Sequence, residues 1–174
     1  MQHSQPSLPR RAFLQGRFLH SLKTEQEKMQ GYQAIRPPWV NLDEFVEKCT
    51  ACDKCITACE TQIIIKGKGG FPEIDFARGE CTFCQHCMES CPEDVFRATD
   101  ETPWLHKVEI QHNCLLTHNI ECRSCGDSCD SRAIRFRPKL GGIVELILAL
   151  ESCNGCGACL AVCPTQAIHI LNIA

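Results

Sequence analysis

Sixteen cysteines stand in this chain of 174 residues, and they fall into four groups of four with none left over. Cys49, Cys52, Cys55 and Cys59 form the first quartet, Cys81, Cys84, Cys87 and Cys91 the second, and Cys153, Cys156, Cys159 and Cys163 the fourth. All three read C-x2-C-x2-C-x3-C, a run that holds 4Fe–4S cubes. Cys114, Cys122, Cys125 and Cys129 form the third quartet, whose first gap is stretched to seven residues. Thiolates are soft ligands suited to iron–sulfur clusters. Three of them at intervals of three can wrap a tight loop around one cube, each sulfur reaching a different iron. The fourth cysteine is expected at the start of a helix that points away, and in paired clusters it ligates the other cluster of the pair.

Two rival chemistries fit the spacing poorly. Cysteines two residues apart in a three-member run are badly placed to form disulfides with one another. Structural zinc sites use two ligand pairs separated by a dozen or more residues rather than one compact run. All sixteen cysteines are therefore expected to be ligands of 4Fe–4S clusters, at the three standard quartets and at the stretched one as well.

The quartets divide the chain into a repeat. The segments between them hold 21, 22 and 23 residues. Pro92 and Pro164 directly follow the fourth cysteines of the second and fourth quartets, whereas Glu60 and Asp130 stand there in the first and third. This alternation predicts two tandem modules of the bacterial two-cluster ferredoxin type. The expected partition is residues 1–40 as an N-terminal basic and amphipathic extension, 41–100 as the first module and 101–174 as the second. By the swap rule, Cys91 joins Cys49, Cys52 and Cys55, and Cys59 joins Cys81, Cys84 and Cys87. In the second module Cys163 joins Cys114, Cys122 and Cys125, and Cys129 joins Cys153, Cys156 and Cys159.

The elements that position these loops are short. Ile63-Ile64-Ile65, Val95-Phe96, Ala133-Ile134-Arg135-Phe136 and Ala167-Ile168-His169-Ile170 each follow a fourth cysteine and read as β-type runs. Gly67, Gly69 and Gly70, and then Gly141-Gly142, mark hairpin turns. Residues 143–150 read as a strand or short helix entering the last quartet. The expected fold is α+β, small and mostly irregular around the clusters. Aromatic residues make up only 6% of the chain, so metal sites must supply much of what a larger apolar core would.

A net charge of −3 argues against bulk nucleic-acid binding, and no stretch approaches the ~20 apolar residues of a membrane span. Pro9-Arg10-Arg11-Ala12-Phe13-Leu14-Gln15 has the look of a twin-arginine export motif. The region after it is broken by Gln15, Gly16, Arg17, His20, Lys23, Glu25 and Glu27, and no small-residue cleavage site follows. A cytoplasmic protein is expected, where a reducing medium keeps the thiols available to metal. No P-loop or G-x-G-x-x-G is present, and no enzymatic activity is expected. Among the histidines, His86 lies inside the second loop, while His112 and His118 flank the stretched third one. Arg132, Arg135, Arg137 and Lys139 read as a solvated strand face.

Several segments outside the cysteine runs resemble one family. They are Ile35-Arg36-Pro37-Pro38-Trp39, Gly69-Gly70-Phe71-Pro72, Glu121-Cys122-Arg123-Ser124-Cys125, Phe136-Arg137-Pro138 and Cys153-Asn154-Gly155-Cys156-Gly157-Ala158-Cys159. Together with the paired arginines near the start, they resemble the NapF family, the ferredoxin-type accessory proteins of the periplasmic nitrate reductase system. The resemblance runs from about Arg10 to about Ile170. It implies a cytoplasmic partner that binds the precursor of the nitrate reductase catalytic subunit and assists loading of its iron–sulfur centre before export. Leu14, Phe18 and Leu22 beside Arg10, Arg11, Arg17 and Lys23 would suit a partner groove. The other reading open at this point is a polyferredoxin that carries electrons to a reductase.

Overall fold

The computed structural model describes residues 34–140 and 144–171. The paired arginines, the Leu14–Phe18–Leu22 stripe and the Gly141-Gly142 turn lie outside the described residues. Five short helices appear among the described residues: α1 (Leu42–Lys48), α2 (Lys54–Ala58), α3 (His86–Glu89), α4 (Ser124–Asp127) and α5 (Ala158–Ala161). Six strands accompany them: β1 (Ile64–Lys66), β2 (Pro72–Ile74), β3 (Lys107–Ile110), β4 (Ile134–Pro138), β5 (Val144–Leu148) and β6 (Ile168–Leu171).

The two halves use one pairing scheme. Each has an inner antiparallel hairpin between its quartets, β1–β2 in the first half and β4–β5 in the second. Each also closes its start onto its end. In the second half β3 pairs with β6, Lys107 opposite Leu171 through Ile110 opposite Ile168. In the first half the same closure shrinks to one bridge, Val40 opposite Phe96. The β-type runs expected after the fourth cysteines thus take up these pairing positions. Two-stranded sheets this short are marginal in water and must be held by what packs on them.

The four cluster-loop helices correct one expectation. Each begins near the second cysteine, carries the third within it, and ends at or just before the fourth, so the fourth cysteine closes a helix rather than starting one. The cause is local. Asp53, Gln85 and Gly157 follow the second cysteines of the standard quartets in the left-handed conformation, with φ of 62°, 67° and 84°. That reversal starts the helical turn before the third cysteine.

Three small apolar clusters make the core. Val40, Phe45, Val46, Phe71 and Val95 pack together in the first half, and Val108, Ile134, Cys159 and Ile168 in the second. The third joins the halves: Ile63, Ile64, Phe76, Cys87 and Trp104 are buried, with Leu160 and Ile170 packed against them. The Ile35-Arg36-Pro37-Pro38-Trp39 segment is the strap of this arrangement. Ile35 accepts from the Ile74 amide at 2.8 Å and Trp39 from the Arg97 amide at 2.6 Å. Trp104 Nε1 donates to the Arg36 carbonyl at 2.8 Å, and Trp39 Nε1 to the Glu101 carbonyl at 2.9 Å. No helix among the described residues is long and apolar enough to cross a membrane.

Candidate metal centres

The cysteines converge on four places, none of which is filled by one quartet alone. Cys49, Cys52 and Cys55 line a cleft of about 400 Å³ together with Cys91. Cys81, Cys84 and Cys87 line another, of about 340 Å³, together with Cys59. Cys114, Cys122 and Cys125 share a cleft of about 360 Å³ with Cys163. In the second half Cys129, Cys153 and Cys159 pack into one apolar cluster, and Cys129 acts electrostatically on both Cys156 and Cys159. Every fourth cysteine therefore sits with the other quartet of its half.

The helices explain the exchange. Cys55 and Cys59 are one turn apart, on one face of α2 and its cap, so each points to the place at its own end of the helix. The same spacing recurs at Cys87 and Cys91, Cys125 and Cys129, and Cys159 and Cys163. Each helix lies between two sites and feeds both.

The clefts suit an iron–sulfur cube by their donor chemistry. All sixteen thiols are free of disulfides, although they lie together in fours. Burial, chiefly, pushes Cys55, Cys81, Cys87 and Cys159 up to about 12, with neighbouring thiols adding to it at all four. Burial likewise lifts Cys125 to about 11. Thiolates packed this way need a positive charge at their centre, which bound iron supplies.

The backbone is shaped for the same purpose. Besides the left-handed residues after the second cysteines, Ala51, Phe83 and Gly155 take φ of 51°, 57° and 79° two residues after the first cysteines of the standard quartets. Such conformations cost roughly 1–3 kcal/mol each outside glycine. They turn successive amides into a concavity of the kind that cradles anionic iron–sulfur groups. The third quartet departs from this pattern: a 3-10 turn over Leu115–His118 closes with Asn119 at φ 58°. That turn takes up the extra residues and still returns Cys114 to the cleft of Cys122 and Cys125.

The fourth cysteines have their own partners, unnoticed in the sequence. A hydroxyl stands two residues after three of them: Thr61 lies 3.5 Å from Cys59 Sγ, Ser131 3.4 Å from Cys129 Sγ and Thr165 3.8 Å from Cys163 Sγ. The Ala167 amide also donates to Cys163 Sγ, at 3.2 Å. At Cys59 and Cys163 burial pushes the thiol up, but these hydroxyl and amide bonds outweigh it and leave both below the ordinary value.

Other residues marked in the sequence fall outside the clefts. His86 is half exposed and faces Glu60 at 3.9 Å. With Cys84 these two form a loose three-ligand group, but Cys84 already belongs to the second site. His112 and His118 are exposed. Arg132, Arg135, Arg137 and Lys139 are exposed as expected, Lys139 bonded to Glu145 at 2.7 Å. Two polar residues are buried: Arg36, marked in the sequence only as part of the resembling segment, and His106, which the sequence did not single out. Arg36 lies with its guanidinium 5.1 Å from the Phe45 ring and 5.8 Å from the Phe71 ring, and donates to the Pro72 carbonyl at 2.7 Å. His106 Nε2 meets the Gly155 carbonyl at 2.9 Å.

Comparison with known proteins agrees with this geometry. The family model described as a 4Fe–4S dicluster domain matches twice, over residues 48–95 and 120–167. The second match begins after Cys114, where the third loop departs from the standard form. The chain is 46% identical to the "Ferredoxin-type protein NapF" of Haemophilus influenzae, over 96% of each chain. It is also 46% identical to the protein of that name in Escherichia coli K12, over 77% of this chain and 82% of the relative. A component of the ion-translocating oxidoreductase complex of Methanosarcina acetivorans is 30% identical over 70% of this chain and 46% of its own length. Two dicluster matches on two halves of like pairing, with likeness along nearly the full length, place this chain in the NapF family of ferredoxin-type iron–sulfur proteins.

Proposed function

We propose that the chain carries four 4Fe–4S clusters, one in each gathering of cysteines, with all sixteen thiols as ligands. On this reading the two dicluster modules span residues 41–100 and 101–174, and of the extension at residues 1–40 the part ahead of the Ile35–Trp39 strap reaches a partner. The protein acts in the cytoplasm as an accessory factor with no catalysis of its own. It binds the precursor of the catalytic subunit of a periplasmic nitrate reductase and assists the loading of its iron–sulfur centre before export. The observation that carries this reading is the likeness to NapF proteins over nearly the whole chain, including the segments between the quartets.

A second reading, a polyferredoxin that carries electrons to a reductase, draws on one specific observation: the second and fourth sites meet across the two halves, through the Cys81 amide and the Cys156 carbonyl. A pull-down separates the readings. The tagged, anaerobically purified chain should capture the unexported catalytic precursor and leave the mature enzyme. Capture of neither, with turnover as an electron donor to the reductase, would sink the assembly role and leave the carrier.

A further inference from the structure

The two halves of the chain could have been joined anywhere on their surfaces. They meet at the loops of the second and fourth quartets. The Cys81 amide donates to the Cys156 carbonyl at 2.9 Å, and Cys156 is among the thiols whose charge acts on Cys81. The surroundings are built to hold that bond. A side chain at Gly157 would run into the Phe76 ring, and one at Gly155 would come within 2.8 Å of His106 Nε2. Phe76, Trp104 and His106 form a triangle of rings with centroids 5.0 to 5.9 Å apart. Lys107 Nζ donates to the Cys153 carbonyl from the same side.

The other two sites take no part in this junction. The cleft of Cys49, Cys52, Cys55 and Cys91 is lined only by residues between 37 and 96. That of Cys114, Cys122, Cys125 and Cys163 is lined only by residues between 110 and 168. Within each half, the helices that feed two sites keep those sites adjacent. The four sites therefore form a row in the order first, second, fourth, third, which is not their order in the sequence.

We propose that the Cys81 N–H···O=C Cys156 bond is the electronic bridge of this protein, joining two dicluster modules into one row. The proposal rests on the reading that the sites hold clusters. When bound, the clusters supply one-electron oxidation and reduction. What passes across the bridge is a single electron: one side is oxidised by one and the other reduced by one, and no proton or atom moves. The chain's contribution is a short path. From Cys81 Sγ through its own backbone amide to the Cys156 carbonyl and Sγ, the path spans no more than about 14 Å even fully extended, from standard bond lengths. The glycines at 155 and 157 leave room for the His106 and Phe76 rings beside this contact.

The test begins with iron and sulfide content of the anaerobically purified full chain. Loss of the four-cluster reading would show there, as fewer than about sixteen irons, separately from any result on the bridge. The double variant Cys52→Ala, Cys122→Ala, which disables the two end sites, is then reduced with dithionite and read by EPR. The expected chain holds about eight irons and shows a split, broadened spectrum from two coupled spins. Two unsplit signals that simply add would overturn the bridge. Hydrogen exchange on the loaded wild-type chain gives a second reading that does not depend on the variant loading. The Cys81 amide is expected to exchange at least about tenfold more slowly than its unstructured rate, and exchange at the unstructured rate would also overturn the proposal.

Discussion

Cys55 and Cys59 stand on one face of the same short helix, yet they line different clefts, Cys55 with Cys91 and Cys59 with Cys81. Each site of such a module draws three thiols from one quartet and the fourth from the other. Cys91→Ala is expected to remove or degrade the cluster at Cys49, Cys52 and Cys55, with a loss of about four irons per chain at most. The cluster at Cys81, Cys84 and Cys87 should keep its EPR signature. Anomalous scattering at the iron edge checks the assignment directly. Cys59 and Cys49 on the same cube would refute the exchange.

Arg36 gives the first site a buried cation. It is 2% exposed and sits over two aromatic rings, and its charge acts on Cys49. A cation there favours the more negative, reduced state of the first site. Arg36→Met keeps much of the volume and removes the charge. The expected result is a potential at the first site lower by on the order of tens of millivolts. The buried ring contacts would also be weakened, by roughly 1–2 kcal/mol. Redox titration followed by EPR reads the potential. A well-folded variant with an unmoved first-site potential would leave Arg36 as a packing residue only.

How the cysteines group in space was legible because ligand spacing is local. Neighbouring thiols of a standard run stand three or four positions apart, so the loops and the exchanged fourth cysteines could be read without knowing how the halves meet. The strand runs after Cys59, Cys129 and Cys163 were legible for the same reason. The helix direction was not, because it depends on left-handed residues such as Asp53 and Gln85 whose side chains give no hint of it. The junction was invisible for a different reason. Cys81 and Cys156 lie in different halves of the chain, 75 positions apart, and nothing in the spacing of the quartets ties one to the other. Arg36 and Trp39 were noticed as marks of a family; the structure shows them as a strap that ties the β1–β2 hairpin to the connection between halves.

Gly157 has no room for change. At φ +84°, with the Phe76 ring where a Cβ would go, alanine would carry both backbone strain and overpacking. The strain is worth about 1–2 kcal/mol and the overpacking about 1–3 kcal/mol. Gly157→Ala is expected to destabilise the loaded chain by roughly 2–5 kcal/mol, visible as a lowered melting temperature under anaerobic conditions. Phe76→Leu in the same chain should restore part of the loss by clearing space. If Gly157→Ala melts like wild type, the ring is not where it matters.

His106 makes the junction sensitive to acid. It is 6% exposed, and burial, reinforced by the charge of Lys107, holds its imidazole below the ordinary 6.5 despite the Gly155 carbonyl, which acts to raise it. The folded chain therefore keeps His106 neutral while an unfolded chain would bind a proton near pH 6.5. Stability from this group is fully present above that value and is lost progressively as pH falls below it toward the depressed folded-state value. His106→Gln cannot titrate, and its amide can still donate to the Gly155 carbonyl. The measurement is the anaerobic melting temperature of wild type and variant between pH 7.5 and 5.5, the two compared so that acid effects common to both cancel. Wild type is expected to lose more on acidification than the variant; parallel curves would show that folded and unfolded chains bind the His106 proton alike, so that burial does not depress it.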